Sequence, residues 1–321
     1  MASINVGVLR GGPSSEYDVS LDTGASVLKH LPEKYSGHDI LIDKKGIWHR
    51  RGTPVKPVDA LSGIDAVFVA LHGEYGEDGT LQKLLDQLRV PYTGSGALAS
   101  AFAMNKVKAK EYAKGIGMKT AQHIVVEMND NLVKELSEIF RTFPQPCVIK
   151  PLDRGSSVGV IISRTHADLV DGVHKSLEHS SKVLIEEYIS GREATCGVLE
   201  NYRGEKNYSM LPIEIIPPKE KDFFDYEAKY TGITQEICPG NFTDKEKEEI
   251  QGMAKLIHEA LGCRHYSRSD FIISPRGIYY LETNTLPGLT SESLVPKSLV
   301  AAGCSFPEFL DHLITLARTQ K

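Results

Sequence analysis

Apolar residues in this chain occur in two forms, as short unbroken runs and as runs spaced at helical intervals, and the two forms alternate. Ile4 to Leu9 and Ala66 to Leu71 are continuous apolar runs that predict buried strands. Each leads through a glycine-containing loop into an amphipathic stretch, the first from about Val19 and the second on LQKLLDQL at residues 81–88. This alternation predicts an α/β unit, a parallel sheet with helices on its faces, in which the loops after the strand C-termini carry function. Glu16 and His72 stand in those loops. PYTGSG at 91–96 marks a boundary, and one helix is predicted from Ala97 through Lys114 with Lys106 on it.

Farther along, the pattern predicts a helix from about Asn131 to Phe140. Strands follow at Cys147–Lys150, Val158–Ile162, Val183–Ile189 and Ala194–Glu200, then a helix at Asp244–Leu261 and a helical tail on FPEFLDHLITLA. Lys150 ends its strand and is followed by PLDRGSSVGV, where Gly155, Ser156, Ser157 and Gly159 can turn backbone amides toward phosphate oxygens beside a compact positive charge. Neither GxxxxGK[ST] nor a GxGxxG opening a helix after a strand is present, which argues against a P-loop or a dinucleotide-binding turn. Glu186 and Glu187 are adjacent on their strand, so at most one of them faces any given pocket. Residues 222–232, DFFDYEAKYTG, form a long aperiodic segment that reads either as an exposed crossover or as a lid.

The densest chemistry lies in RSDFIISPRGIYYLETN, residues 268–284. A two-residue turn at Pro275-Arg276 with positive φ at its first position is closed to proline, so a three-residue loop ending on a left-handed Gly277 is predicted, pairing Ser274 with Ile278. Counting back sets Asp270 opposite Glu282 and Arg268 opposite Asn284 on one face. Hard oxygen donors without Cys or His favour magnesium, which usually bridges a few carboxylates to substrate phosphates.

Composition adds limits. The chain has 321 residues, enough for two or three domains, and a formal net charge of −5 with no basic block, which argues against a general nucleic-acid binder. Its five cysteines form no CxxC pair and read as reduced core thiols, pointing to the cytoplasm. No run is long enough to span a bilayer, and the N-terminus lacks a signal-peptide pattern.

Seven segments then stand in one order: GGPSSEYDVSLDTG, ALHGEYGEDGTLQ, PYTGSGALASAFAMNK, VIKPLDRGSSVGV, EEYISGREAT, DYEAKY and RSDFIISPRGIYYLETNTLPGLTSESLVP. Together they resemble the D-alanine-D-alanine ligases of the ATP-grasp superfamily over essentially the whole chain. The departures are small: Tyr17 for a usual His or Arg, Asn105 for the Asp before Lys106, and Ser269 for an apolar residue.

The resemblance implies a three-domain ATP-grasp architecture: an N-terminal α/β substrate-binding domain (1–95), a central domain (96–189) and a C-terminal domain with lid and metal site (190–321), the last two α+β and clasping ATP. It implies a cytoplasmic, homodimeric enzyme that joins two D-alanine molecules through an acyl phosphate. Asp270, Glu282 and Asn284 would hold two Mg2+ ions, with Mn2+ able to substitute. Lys106, Lys150, Ser156, Ser157 and Lys229 would hold the phosphates. The hinge Glu186, Glu187, Tyr188 and Ile189 would take adenine, with Glu186 accepting from its amine, and Glu193 would take the ribose. Glu16 would bind the first ammonium and His72 would lie near the first carboxylate. Arg268 and the Gly288 amide would hold the oxyanion, and Ser293 and the Leu294 amide the second carboxylate. Glu16, Ser156 and Tyr230 would link to close the lid, and Tyr230 implies a dipeptide product over an ester.

Overall fold

The computed structural model describes residues 3–152, 159–217 and 234–319. The first unit comprises β1 (Ile4–Gly11), α1 (Tyr17–His30), β2 (Tyr35–Ile42), β3 (Trp48–Arg50), β4 (Thr53–Val55), α2 (Pro57–Ala60), β5 (Ala66–Val69) and α3 (Thr80–Leu88). Its strand order is β4-β3-β2-β1-β5, with β1 parallel to both β2 and β5. The unbroken apolar runs have their cause here, because Val6, Val8 and the whole of β5 are covered on both faces. An antiparallel extension, β3 and β4, widens the sheet beyond the expected parallel core, and Pro54 sits on its edge strand, where a missing N–H costs nothing. At the end of β1 the chain turns through Gly11 at φ +90°, and a Cβ there would lie 2.2 Å from the Ile42 carbonyl oxygen. That turn delivers Glu16 to the N-cap of α1.

The single helix expected from Ala97 to Lys114 is two, α4 (Ala97–Met104) and α5 (Lys106–Gly115). The break is Asn105, which leaves the helical region (φ −81°, ψ 102°) and caps α5 by accepting from the Lys108 N–H at 3.1 Å. Lys106 thereby becomes the first residue of a helix, and Asn serves as well as Asp would in the cap. The short β6 (Lys119–Thr120) follows.

A second sheet contains β7 (His123–Glu127), α6 (Leu132–Thr142), β8 (Cys147–Pro151), β9 (Ile161–Ser163), α7 (His166–Leu177) and β10 (Lys182–Glu187). Its order is β7-β10-β8-β9, every neighbour antiparallel, and its core joins Leu136, Ile149, Val173 and Ile185. Thr165 and Asp168 start α7 with a reciprocal capping box.

The third unit contains β11 (Arg192–Tyr202), β12 (Glu205–Ser209), β13 (Ile213–Ile216), β14 (Gln235–Ile237), α8 (Asp244–Ala260), β15 (Tyr266–Ser274) and β16 (Gly277–Asn284), followed by α9 (Leu294–Ala301) and α10 (Phe306–Thr319). The sheet runs β14-β13-β11-β15-β16-β6, with β12 paired to β11. The cores cross the order of the chain. Ala103, Ala109 and Ala113 of α4 and α5 pack with Phe271, Tyr280 and Ile257 of the third unit, while Phe309, Leu310, Leu313 and Ile314 of α10 complete the core of the first. Leu286 and Leu289, just past β16, also bury in the first core.

Candidate active site

The β15–β16 hairpin sets Asp270 opposite Glu282 and Arg268 opposite Asn284, as expected, but by another route. Ser274 pairs with Gly277 rather than Ile278, around a two-residue turn at Pro275-Arg276 with the positive φ (+114°) at Gly277. The register is therefore one residue short as far as Phe271–Tyr280, and a bulge between Asp270 and Phe271 on one strand, with Leu281 unpaired on the other, restores it. Without that bulge Glu282 and Asn284 would turn to the opposite face. Arg268 grips Asp270 with two hydrogen bonds of 3.0 Å. Thr195 donates to the same carboxylate at 2.5 Å and the Asn284 amide at 3.3 Å. Arg268 is held above its ordinary pKa: burial works against its charge, and Asp270 outweighs it. Ser269 is fully buried, and its hydroxyl is satisfied by Thr283 Oγ1 at 2.8 Å.

Two clefts open on this hairpin. The first is lined by Lys106, Lys150, Glu186, Glu187, Tyr188, Ile189, Glu193, Asp270 and Glu282, with apolar walls from Ala121, Val148, Phe271 and Leu281. Glu186 is buried there between two ammonium groups. Lys150 Nζ lies 2.7 Å from one oxygen, and Lys110 Nζ lies 2.9 Å from the other, at an angle too poor for a hydrogen bond but close enough for a strong ion pair. Burial opposes ionisation of Glu186, but the two lysines outweigh it and hold its pKa down to about 2. One carboxylate shared by two cations repays Lys110 only in part, so burial depresses Lys110. Lys150 rises, since Glu186, Glu282 and Glu193 outweigh its burial. Lys110 did not stand out in the sequence, although it follows Lys106 by one helical turn and shares its face.

The four hinge residues all line this cleft. Expected to read a ring with backbone amides, the hinge gives the Glu187 N–H to the Gln122 carbonyl (2.9 Å) and the Tyr188 N–H to the Pro146 carbonyl (3.3 Å). The Glu187 side chain points out to Arg276 at 2.6 Å. Glu186, expected to accept from an amine, already gives both oxygens to lysines.

The second cleft is lined by Glu16, His72, Glu77, Lys106, Arg268, Glu282, Asn284, Gly288, Ser293 and Leu294 among others. Lys106, Arg268, Glu282 and Leu294 border both clefts, and Lys106 Nζ stands 4.0 Å from Glu282 across that shared wall. Gly288 is fitted to its place: a Cβ would lie 2.8 Å from Ser293 Oγ. Ser293 is the N-cap of α9, and Leu294 is its first residue.

His72 lines this cleft with both ring nitrogens engaged by protein. Nδ1 meets the Leu286 carbonyl at 2.8 Å, and Nε2 meets Thr23 Oγ1 at 2.8 Å. A carbonyl only accepts, so Nδ1 carries the proton. Burial holds the ring down to about 4, hence neutral, and Nε2 accepts from Thr23. His72, expected near the first carboxylate, lines the second cleft with its one N–H given to the Leu286 carbonyl. Nothing in the sequence singles out Glu77, one of three carboxylates in GEYGEDGT at 73–80. Its carboxylate accepts from the Gly73 N–H (2.9 Å) and the Leu286 N–H (2.8 Å). Ligand atoms of Glu16, His72 and Glu77 lie within 4.8 Å of one another. With His72 and Glu77 bonded to backbone and hydroxyl groups, the cluster binds the chain to itself rather than a metal. Ser156, Ser157, Lys229 and Tyr230 lie outside the described residues.

Comparison with known proteins decides the family. "D-ala D-ala ligase C-terminus" matches residues 112–315 and "D-ala D-ala ligase N-terminus" residues 50–95. The chain belongs to the D-alanine-D-alanine ligase family. A D-alanine--D-alanine ligase of Syntrophobacter fumaroxidans is 40% identical over 98% of this chain and 97% of its own. Among solved structures, D-alanyl-alanine synthetase A from Vibrio cholerae aligns with TM-score 0.86 and 26% identity over 100% of both chains. The VanG D-Ala:D-Ser ligase from Enterococcus faecalis aligns with TM-score 0.84 and 29% identity over 98% of this chain and 100% of that one. The three-sheet α/β architecture is the ATP-grasp fold of these ligases, and the chain is an ATP-using ligase of that family.

Proposed function

We propose that this ligase joins two molecules of D-alanine into D-alanyl-D-alanine for peptidoglycan precursors. A carboxylate at neutral pH offers an amine no adequate leaving group, so one of its oxygens must first be phosphorylated. The carboxylate of the first D-alanine attacks the γ-phosphorus of ATP and ADP departs. The amine of the second attacks the acyl carbon, loses a proton, and phosphate leaves with the C–O electron pair. The observation that carries this reading is the wall shared by the two clefts, Lys106, Arg268, Glu282 and Leu294. A terminal phosphate entering from one side meets a carboxylate entering from the other.

In this reading Lys106 and Lys150 hold phosphates, Glu193 the ribose, and the 186–189 hinge the adenine. Glu16 takes the first ammonium. Arg268 and the Gly288 amide receive the oxyanion, an interaction worth on the order of 3 kcal/mol. Ser293 and the Leu294 amide take the second carboxylate, which the unbonded N–H groups at a helix start favour. Ser156, Ser157, Lys229 and Tyr230 keep the phosphate-covering and lid roles on resemblance alone. Asp270, Glu282 and Asn284 fit magnesium, two ions with manganese able to substitute, because all three offer hard oxygen donors and the two carboxylates line the nucleotide cleft. Magnesium there would offset negative charge on the phosphate being transferred. We place the protein in the cytoplasm as a homodimer. The free thiols suit a reducing compartment, and among the described residues no single helix is long and apolar enough to cross a membrane.

The test is ADP release and product analysis with ATP and magnesium. D-alanine should yield ADP and D-alanyl-D-alanine, and L-alanine neither. No D-alanine-dependent turnover overturns the donor assignment. The VanG structure gives a second reading, a different acceptor. Faster joining of D-alanine to D-serine or D-lactate than to D-alanine at neutral pH would establish it.

A further inference from the structure

Leu286 is gripped on both sides of its backbone by the first unit. Its N–H donates to Glu77 at 2.8 Å and its carbonyl accepts from His72 Nδ1 at 2.8 Å, while its side chain is buried in the first core. The grip is itself braced. Glu77 also takes the Gly73 N–H, Thr23 Oγ1 fixes the far side of the imidazole at 2.8 Å, and Thr23 Oγ1 in turn receives the Leu289 N–H at 3.5 Å. Two residues beyond Leu286 stands Gly288, and five beyond that Ser293.

We infer that His72 and Glu77 are positioning residues that clamp the Leu286 peptide and so fix the Pro287–Ser293 loop in the acceptor cleft. This rests on the reading of that cleft as the amino-acid site. The chemistry needs neither residue to touch substrate. An oxyanion donor must be aimed to within a fraction of an ångström, and a loop on a flexible tether cannot do that. The clamp supplies the aim from a different sheet than the one carrying the loop. It also ties the register of the hairpin, and so the place of Glu282, to the first unit.

Two substitutions at one position separate this from direct substrate contact. Asn places its amide nitrogen close to Nδ1, and Gln places its own close to Nε2. His72→Asn should keep kcat within about fivefold of wild type, because the bond to the Leu286 carbonyl survives, and His72→Gln should lose about thirtyfold or more. Glu77→Gln sets an N–H against a backbone N–H. It should lower kcat and raise KM for the second amino acid about tenfold, with KM for ATP unchanged in all three variants. A more active Gln than Asn variant would show that Nε2 serves the substrate and would overturn the clamp. Parallel loss of ATP affinity would reduce both residues to general stability and overturn it equally. Amide hydrogen exchange gives a readout independent of turnover. The Leu286 N–H should be strongly protected in wild type and exposed in Glu77→Ala. Fast exchange in wild type refutes the clamp, whereas failure of D-alanine turnover with Leu286 protected refutes only the substrate assignment.

Discussion

The two clefts share a wall but are built differently. The acceptor cleft lies where the first core and the hairpin interdigitate: Leu286 and Leu289 bury in the first unit, and the polar contacts there run from neutral or backbone groups to a neutral histidine and one carboxylate. The nucleotide cleft lies between the second sheet, which has its own core, and the third. Charge pairs tie its two sides, Lys110 with Glu186 in the interior and Arg276 with Glu187 at the rim. Apolar interlocking is short-ranged and stiff, whereas ion pairs tolerate displacement, and the pair at the rim also responds to salt. An enzyme that must admit ATP and yet exclude water from an acyl phosphate gains from one fixed wall and one that yields.

The largest effect expected from any single change falls on the shared wall. Glu282→Ala should cut phosphate release by about a thousandfold while leaving the far-UV spectrum and thermal midpoint near wild type. Its carboxylate is half-buried and Lys106 Nζ stands 4.0 Å away, so the fold depends on it little. An active variant would remove the metal assignment and with it the argument for the wall.

Next in size is Lys110→Met, which tests whether charge holds the nucleotide side. Glu186 would keep only Lys150, so Lys150 would be drawn from phosphate toward the carboxylate. KM for ATP should rise about tenfold with KM for D-alanine unchanged, and stability should fall by roughly 2 kcal/mol, less than for a fully orphaned buried ion. The pH dependence has a definite sign. The folded pKa of Glu186 is depressed to about 2 from 4.5, so its contribution is complete above 4.5 and is lost as pH falls toward 2. Removing one lysine raises the folded pKa, so acid unfolding of the variant should begin at a higher pH. An unchanged acid midpoint would mean that Lys110 is a passenger.

These residues also show where the sequence was legible. Continuous apolar runs marked β1 and β5 because parallel strands bury both faces, and adjacent polar positions marked the metal-type cluster because strands alternate. The hairpin's register at Asp270 and Glu282 agrees with the sequence because two departures cancel: the turn is one residue shorter than predicted, and the extra residue at Leu281, which leaves no mark in an alternating pattern, restores the count. Asn105 was visible as a departure but not as the cap that splits a helix, because Met104 and Lys106 both fit a continuous helix. Glu77 and His72 were visible as polar loop residues. Their partner is a backbone peptide more than 200 positions away, and main-chain groups carry no signature. Lys110 is obscured by its neighbours Lys106, Lys108 and Lys114: burial separates it from Lys108 and Lys114, but Lys106 is buried as well, and the ion pair with Glu186 is what sets Lys110 apart.

The smallest effect, at the rim, is the one that best sharpens the contrast. Arg276 at the hairpin turn and Glu187 at the end of β10 join the third sheet to the second across solvent, with Arg276 largely exposed. A pair of this kind is worth about 0.2–1 kcal/mol and is screened by salt. A double-mutant cycle with Arg276→Ala and Glu187→Ala should return a coupling in that range at low ionic strength and near zero at about 1 M salt. Either single change should raise KM for ATP by no more than about threefold, and only at low salt. The corresponding cycle within the first unit's grip on the acceptor loop, Thr23→Ala with Glu77→Gln, should keep its coupling in salt, because His72 and the Leu286 peptide that link them are buried and His72 is neutral. Equal salt sensitivity on the two sides would mean that both clefts open by the same means, and the division into a fixed wall and a yielding one would fail.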